Sequence, residues 1–213
     1  GIVAGSAAAG ALTGYNHRDI DAIKDRTKAR PIPSGRISPR NALIFGLLLA
    51  AISLFCAWSI NYLTFGLMAF GLFDNIIVYS KWLKRKSQTN IILGGFSGAV
   101  PALIGYVAVT TENIEIGLAM AALVFFWIPT HIWSLALHVK NDYTKAGVPM
   151  LPVVAGEKRS VHVIAGTTLL MVFISLIPYF LNQFALIYFV TAILGGIVMI
   201  VTSLWLLAKP SEN

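Results

Sequence analysis

Apolar residues in this chain gather into long runs instead of alternating with polar ones every two or every 3.6 positions. Seven runs can be marked: 2–15, 42–60, 62–79, 91–109, 114–137, 161–181 and 184–207. The last six have roughly the ~20-residue length a helix needs to cross a bilayer. The first is short of that length and is expected to be the later part of a helix begun before Gly1. Gly, Ser and Pro occur inside the runs, as membrane helices tolerate and close helix packing in lipid requires. The pattern predicts an all-α, polytopic membrane helix bundle.

The polar stretches between the runs are of two kinds. Tight links are expected at 61, 111–115 and 182–183, and longer ones at 16–41, 80–90 and 138–160. Threading the chain back and forth puts the three long loops, and Lys209, on one face. That face then carries all 16 Lys and Arg residues, and the positive-inside rule makes it cytoplasmic. The tight links have no room for a catalytic apparatus, so chemistry is expected in the long loops and the helix ends beneath them.

Composition supports lipid as the solvent. Of 213 residues, 57% are hydrophobic and only 12% charged, about half the charged share of a soluble domain. Topology accounts for the net charge of +7 without nucleic acid as a partner. The sole cysteine, Cys56, excludes an internal disulfide and a Cys-based zinc site.

The first long loop is the densest in charge. Asp19, Asp21 and Asp25 follow Asn16 and His17. If the preceding helix continues, His17, Asp21 and Asp25 share one face at i, i+4, i+8. Grouped carboxylates and amide oxygens suit Mg²⁺, which takes one or two carboxylates together with substrate phosphates. Arg26 and Arg30 then offer two planar forks for phosphate oxygens. Pro31 and Pro33 are expected to end the helix, and Ser34-Gly35 to turn the chain. The alternative is a solvated loop whose charges pair only with one another.

The second long loop opens on Tyr79-Ser-Lys-Trp-Leu-Lys-Arg-Lys. Lys84 or Arg85 can reach a substrate anion, or the cluster can simply anchor the helix end at the interface. Asp74 and Asn75 lie one to two turns deeper. An ionisable residue there is either a functional group or one paired with a neighbouring helix. Before the third loop, Pro129 is expected to kink its helix. Continued helically, His131, His138 and Asp142 form one face that leads to the mouth, where Asp142 and Lys145 sit. Either the histidines are packing groups, or that face is functional and Asp142 is expected to be a second metal-site carboxylate facing those of the first loop. Trp127, Trp133, Phe125, Phe126 and Tyr106 can supply aromatic walls for a carbocation, or merely pack.

Asp19-x-Asp21-x4-Arg26-Thr-x-x-Arg30-Pro31 resembles the first Asp-rich motif of the UbiA superfamily of intramembrane prenyltransferases. Three further stretches resemble the protohaem IX farnesyltransferase (haem O synthase) family within it. They are Tyr79-Ser-x-x-Leu-Lys-Arg-x-Ser-x-x-Asn-Ile-x-x-Gly-Gly, Gly98-Ala-x-Pro-x-Leu-Ile-Gly105, and Trp127-x-Pro-x-His131-x-Trp-x-Leu-Ala with Asp142-Tyr-x-x-Ala-Gly-Val-Pro-Met-Leu-Pro.

The resemblance implies a single transmembrane prenyltransferase domain over 1–213, with seven helical segments of a family total of nine. It implies a reaction in which farnesyl diphosphate, haem b and water give haem o and diphosphate. The implied catalytic residues are Asp21, Asp142, Arg26 and Arg30, with Asp19, Asp21 and Asp142 holding Mg²⁺. Asn16, His17, Tyr79, Lys84, Arg85, His131 and Lys145 are then substrate-binding. Haem A synthase and terminal-oxidase assembly proteins are the implied protein partners. The chain departs from the family pattern at Gly10 and Thr13, where Asn is usual, and at His17, where Asp is usual. Residues 30–38 also look like those of archaeal geranylgeranyl-transferring relatives. Two alternatives stay open: a quinone or glycerol-phosphate lipid acceptor, and an inactive haem-binding assembly factor.

Overall fold

A computed structural model describes residues 1–181 and 184–208. The expected link at 182–183 and the placement of Lys209 lie outside the described residues. The chain is a helical membrane bundle. Helix α1 spans Ile2–Asn16 and α2 spans Arg18–Ile23; α3 is Pro39–Trp58, and α4 is Tyr62–Phe73, continued as a π-helix over Asp74–Leu83. Next come α5 (Asn90–Leu93), α6 (Phe96–Val107), α7 (Ile114–His138), α8 (Lys140–Lys145), α9 (Leu151–Val154), α10 (Glu157–Phe180) and α11 (Leu186–Ala208). Among the described residues, six stretches are long and apolar enough to cross a membrane: Pro39–Trp58, Tyr62–Leu83, Asn90–Val107, Ile114–His138, Glu157–Phe180 and Leu186–Ala208. These match the last six apolar runs.

Neighbours in sequence pack as neighbours in space, α1 on α3, α3 on α4, α4 on α6, α6 on α7, α7 on α10 and α10 on α11. Helix α1 also crosses to the π-helix, which brings the first and second long loops together. Small residues permit these approaches. A Cβ at Gly46 of α3 would stand 2.6 Å from Leu12 Cγ of α1. The outer faces carry large exposed apolar side chains such as Phe45, Phe55, Phe173 and Trp205, as lipid-facing surfaces do. Local chemistry sets the helix starts. Ser38 Oγ accepts from Asn41 N (3.2 Å) with Pro39 at the first helical position. Asn61 accepts from Thr64 N (2.7 Å) and donates to the Val107 carbonyl (2.9 Å), tying the start of α4 to the end of α6.

Three expectations are corrected. The first helix breaks at His17 and α2 ends at Lys24, whose backbone is extended (φ −79°, ψ 129°). Asp25 therefore leaves the face shared by His17 and Asp21, and the helix ends well before Pro31. Helix α7 ends at His138 and Val139 interrupts it (φ −112°, ψ 32°), so one unbroken helical face does not run on to Asp142. Pro129 lies inside α7, which runs past it to His138. The run after Phe73 is a π-helix, in which Lys84 N bonds to the Tyr79 carbonyl five residues back (2.9 Å); such widenings occur mostly as short insertions at functional sites.

The long loops are anchored. Ile20 of α2, Ile91 of α5, Trp133 of α7, Tyr143 of α8, Met150, Leu151 of α9 and Ile164 of α10 share one apolar core. That core fixes the height of the polar side chains above it.

Candidate functional site

Three long loops converge in a polar bowl at one end of the bundle. Arg85 NH1 and NH2 grip both oxygens of Asp19 at 2.8 and 2.7 Å, a bidentate fork. That hydrogen bond brings the Asp19 carboxyl down to about 2. Arg85 also donates to the Asn16 carbonyl (3.0 Å). Asp21 is buried, between Lys24 Nζ at 3.1 Å and Arg30 NH1 at 2.8 Å. Burial pushes its carboxyl up, but the two cations prevail and hold it below the usual range. Asp25 stands at the surface between Lys28 (2.7 Å) and Lys145 (3.3 Å), joining the first and third loops. Asp142 accepts from the Arg26 backbone N–H at 3.4 Å, a second join between the same loops.

His17 occupies the buried centre. Lys84 Nζ lies 2.9 Å from Nδ1. A lysine only donates, so Nδ1 is the acceptor and Nε2 carries the proton, given to the Ser80 carbonyl at 3.0 Å. Burial first, and Lys84 second, bring the imidazole down to about 4. It is neutral at pH 7. Burial, together with nearby Lys24, brings Lys84 down to about 7. Asn16 donates to Ser80 Oγ (3.2 Å).

Below the bowl lie three cavities. One, of about 460 Å³, is lined by Gly5, Ala9, Met68, Leu72, Val100 and Ile104, with Ser6, Thr13, Asn75 and Ser97 as polar groups. The face of α1 that lines it leads at helical spacing from Ala9 and Thr13 to Asn16 and His17. A second, of about 230 Å³, is bounded by Tyr79, Trp127, Ile128 and His131. His131 stacks on Trp127 there (centroids 4.6 Å, 10° between planes). A third, of about 800 Å³, is lined by Asp21 and Arg30 together with apolar groups such as Ile32, Ile37 and Phe45.

The sequence-nominated residues thus fall into two groups. Asn16, His17, Asp19, Asp21, Arg26, Arg30, Lys84, Arg85, Asp142 and Lys145 border the bowl. His131 belongs to the neighbouring cavity. Tyr79 joins the two, lining that cavity while Lys84 Nζ sits 5.3 Å over its ring. Tyr106 is removed from the aromatic wall, since its hydroxyl donates to the Glu112 and Asn113 carbonyls at a tight link. Trp133 is core. Sequence reasoning missed Lys24, buried three residues from its partner Asp21; that i, i+3 spacing was the available signal. Ser80 had none.

Among the described residues, no three His, Cys, Asp or Glu side chains form a ready metal cage. Asp21 and Asp142 nonetheless fit a hard cation that takes one or two protein carboxylates and completes its shell with phosphate oxygens and water. The surrounding Arg and Lys side chains suit those same phosphates. Both oxygens of Asp19 are engaged by Arg85, and those of Asp21 by Lys24 and Arg30, so each of these carboxylates would exchange partners to take a cation.

The whole chain, residues 1–213, matches the UbiA prenyltransferase family. It is 45% identical over 227 residues to protoheme IX farnesyltransferase 2 of Cenarchaeum symbiosum, covering 100% of this chain and 73% of that protein. It is 42% identical over 210 residues to protoheme IX farnesyltransferase 1 of Picrophilus torridus, covering 98% and 70%. The fold is similar to that of a digeranylgeranylglyceryl phosphate synthase structure (TM-score 0.78, 23% identity, 96% of this chain and 71% of the other). It is also similar to that of a UbiA homolog from Archaeoglobus fulgidus bound to DMAPP and Mg²⁺ (TM-score 0.72, 19% identity, 99% and 77%). The chain belongs to the UbiA prenyltransferase family.

Proposed function

We propose that the chain transfers the farnesyl group of farnesyl diphosphate to a vinyl group of haem b, with uptake of water, to give haem o and diphosphate. Support comes from relatives of that name at 42–45% identity over essentially the whole chain. The observation that carries the reading is the bowl, where carboxylates and cations from three loops are already paired above apolar cavities. Each member of these pairs could exchange its partner for a metal-bound diphosphate. Arg26, Arg30, Lys84, Arg85 and Lys145 would hold phosphate oxygens, while Asp21 and Asp142 would hold the cation. When bound, Mg²⁺ neutralises the leaving group and lowers the cost of ionising the allylic C–O bond.

The farnesyl chain lies in the apolar cavity beneath Thr13, away from bulk water. His17, neutral and fixed by Ser80, holds Lys84 at the mouth. His131 and Trp127 orient the acceptor in the adjoining cavity, with Tyr79 between acceptor and diphosphate. The bowl faces the cytoplasm, where all the loop cations collect. Haem A synthase and terminal-oxidase assembly proteins are the partners that would take the product.

The test is product mass after incubating membranes that carry the chain with farnesyl diphosphate, Mg²⁺ and haem b. Farnesylated haem is expected. A prenylated quinone or glycerol-phosphate lipid in its place, or haem binding without release of diphosphate, would refute the reading.

A further inference from the structure

The reaction proposed above consumes one water, yet the cavities that would receive its organic partners are largely apolar. Two polar side chains are shared between two of them. Asn75, Ser97 and Gly98 border both the 460 Å³ and the 230 Å³ cavities. Thr13 Oγ1 donates to Asn75 Oδ1 (2.9 Å), and Asn75 Nδ2 donates to Ser97 Oγ (3.3 Å). Ser97 is held in turn, its N–H on Asp74 Oδ2 (2.9 Å) and its hydroxyl on the Gly94 carbonyl (2.8 Å). Asp74 therefore acts as the anchor of Ser97 at the start of α6.

After these bonds, Asn75 still has one amide N–H and a carbonyl lone pair, and Thr13 has free lone pairs. Together they can give one hydrogen bond to a water and accept two. The absence of a side chain at Gly98 lets Ile128 of α7 approach the junction closely, for a Cβ there would stand 2.7 Å from Ile128 Cδ1.

We propose that Asn75, with Thr13 and Ser97, holds the water that is added to the acceptor. The proposal rests on the haem-farnesylation reading. The allylic C–O bond breaks and its electron pair leaves with diphosphate. The terminal vinyl carbon forms a bond to farnesyl C1, which leaves a cation on the vinyl carbon next to the ring. The water oxygen at Asn75 bonds to that carbon. Its proton ends on the diphosphate freed in the same turnover. Without a held water, the same cation loses a proton from the neighbouring carbon and becomes an alkene.

The experiment compares products from membranes carrying the wild-type chain and the variants Asn75→Leu and Ser97→Ala, each given farnesyl diphosphate, Mg²⁺ and haem b. The readout is the fraction of farnesylated haem that carries the added water, against the alkene one water lighter. This partition is independent of how much folded protein is present. The wild type is expected to give the hydrated product, and Asn75→Leu to lower its fraction about tenfold through lost hydrogen bonds to the water. Ser97→Ala is expected to lower it less. A wild-type hydrated fraction in both variants overturns the proposal. If Asn75→Leu yields no product, Ser97→Ala decides by the same ratio, and an unchanged ratio overturns the proposal. If the wild type itself yields no farnesylated haem, the haem reading fails and this proposal falls with it. That outcome is distinct from a failure in the variants alone.

Discussion

Replacing Asp21 by Asn tests the bowl most directly. The Asp21 and Lys24 side chains are 2% and 4% exposed, 3.1 Å apart, while Arg30 is 51% exposed. Neutralising Asp21 strands the buried Lys24 ammonium. Breaking a buried pair from one side costs about 3–5 kcal/mol, whereas the half-exposed Arg30 contact is worth less than about 1 kcal/mol. The Asn carbonyl still accepts one bond, so the expected loss lies at the low end, about 3 kcal/mol. For a chain of this size that lowers the unfolding midpoint by about 6–12 °C. Midpoints would be read in detergent micelles from tryptophan fluorescence, with farnesyl transfer measured alongside. Adding Lys24→Met removes the stranded charge and should restore most of the midpoint, but not turnover. The pH dependence has a definite sign. The folded pKa of Asp21 lies below its ordinary value, so its stabilisation is complete above about pH 4 and is lost as pH falls through the lower folded value. The Asn variant lacks that acid-dependent loss. An unchanged midpoint in Asp21→Asn would refute the buried pair, and turnover regained in the double variant would remove Asp21 from the chemistry.

Lys84 is held down to about 7, and phosphate binding favours its charged form. Affinity for a non-hydrolysable diphosphate analogue, followed by calorimetry, should therefore fall as pH rises through about 7. His17→Asp should move that fall to higher pH, and an unmoved midpoint would count against the pairing. Arg85→Gln breaks an exposed ion pair, so stability should change by less than about 1 kcal/mol. The KM for farnesyl diphosphate should rise about 10–100-fold from the lost charged hydrogen bonds; an unchanged KM would return Arg85 to surface anchoring. In Gly94→Ala the new Cβ would stand 2.5 Å from Tyr79 Cδ2 and 2.8 Å from the Asn90 carbonyl. The expected cost is about 1–3 kcal/mol of stability, and a midpoint equal to the wild type would contradict the close approach.

Much of this molecule is readable before any folding is considered. A run of ~20 apolar residues can satisfy its backbone in lipid only as a helix, so six spans follow from hydrophobic length alone. The grouping of Lys and Arg in alternate links likewise selects which loops meet. Asp21, Asp142, Arg26 and Arg30 could be nominated because their residue types match the chemistry of a metal-bound diphosphate.

Tertiary structure decided the partners. Whether a carboxylate is buried or solvated depends on what packs over it, which local spacing does not encode. Asp21 and Asp25 look alike in sequence, yet one is buried against Lys24 and the other stands at the surface between two lysines. The breaks at His17, Lys24 and Val139 arise because the loops turn back onto a shared core of Ile20, Trp133, Tyr143 and Ile164. Those breaks override the regular helical faces that spacing predicts. The π-helix at Asp74–Leu83 was equally unreadable, since no residue type in it forbids an ordinary helix. Asn75 shows the division plainly. Sequence marks it as a polar residue deep in a membrane span, and only the packing of α1, α6 and the π-helix sets it between two cavities, bonded to Thr13 on one side and Ser97 on the other.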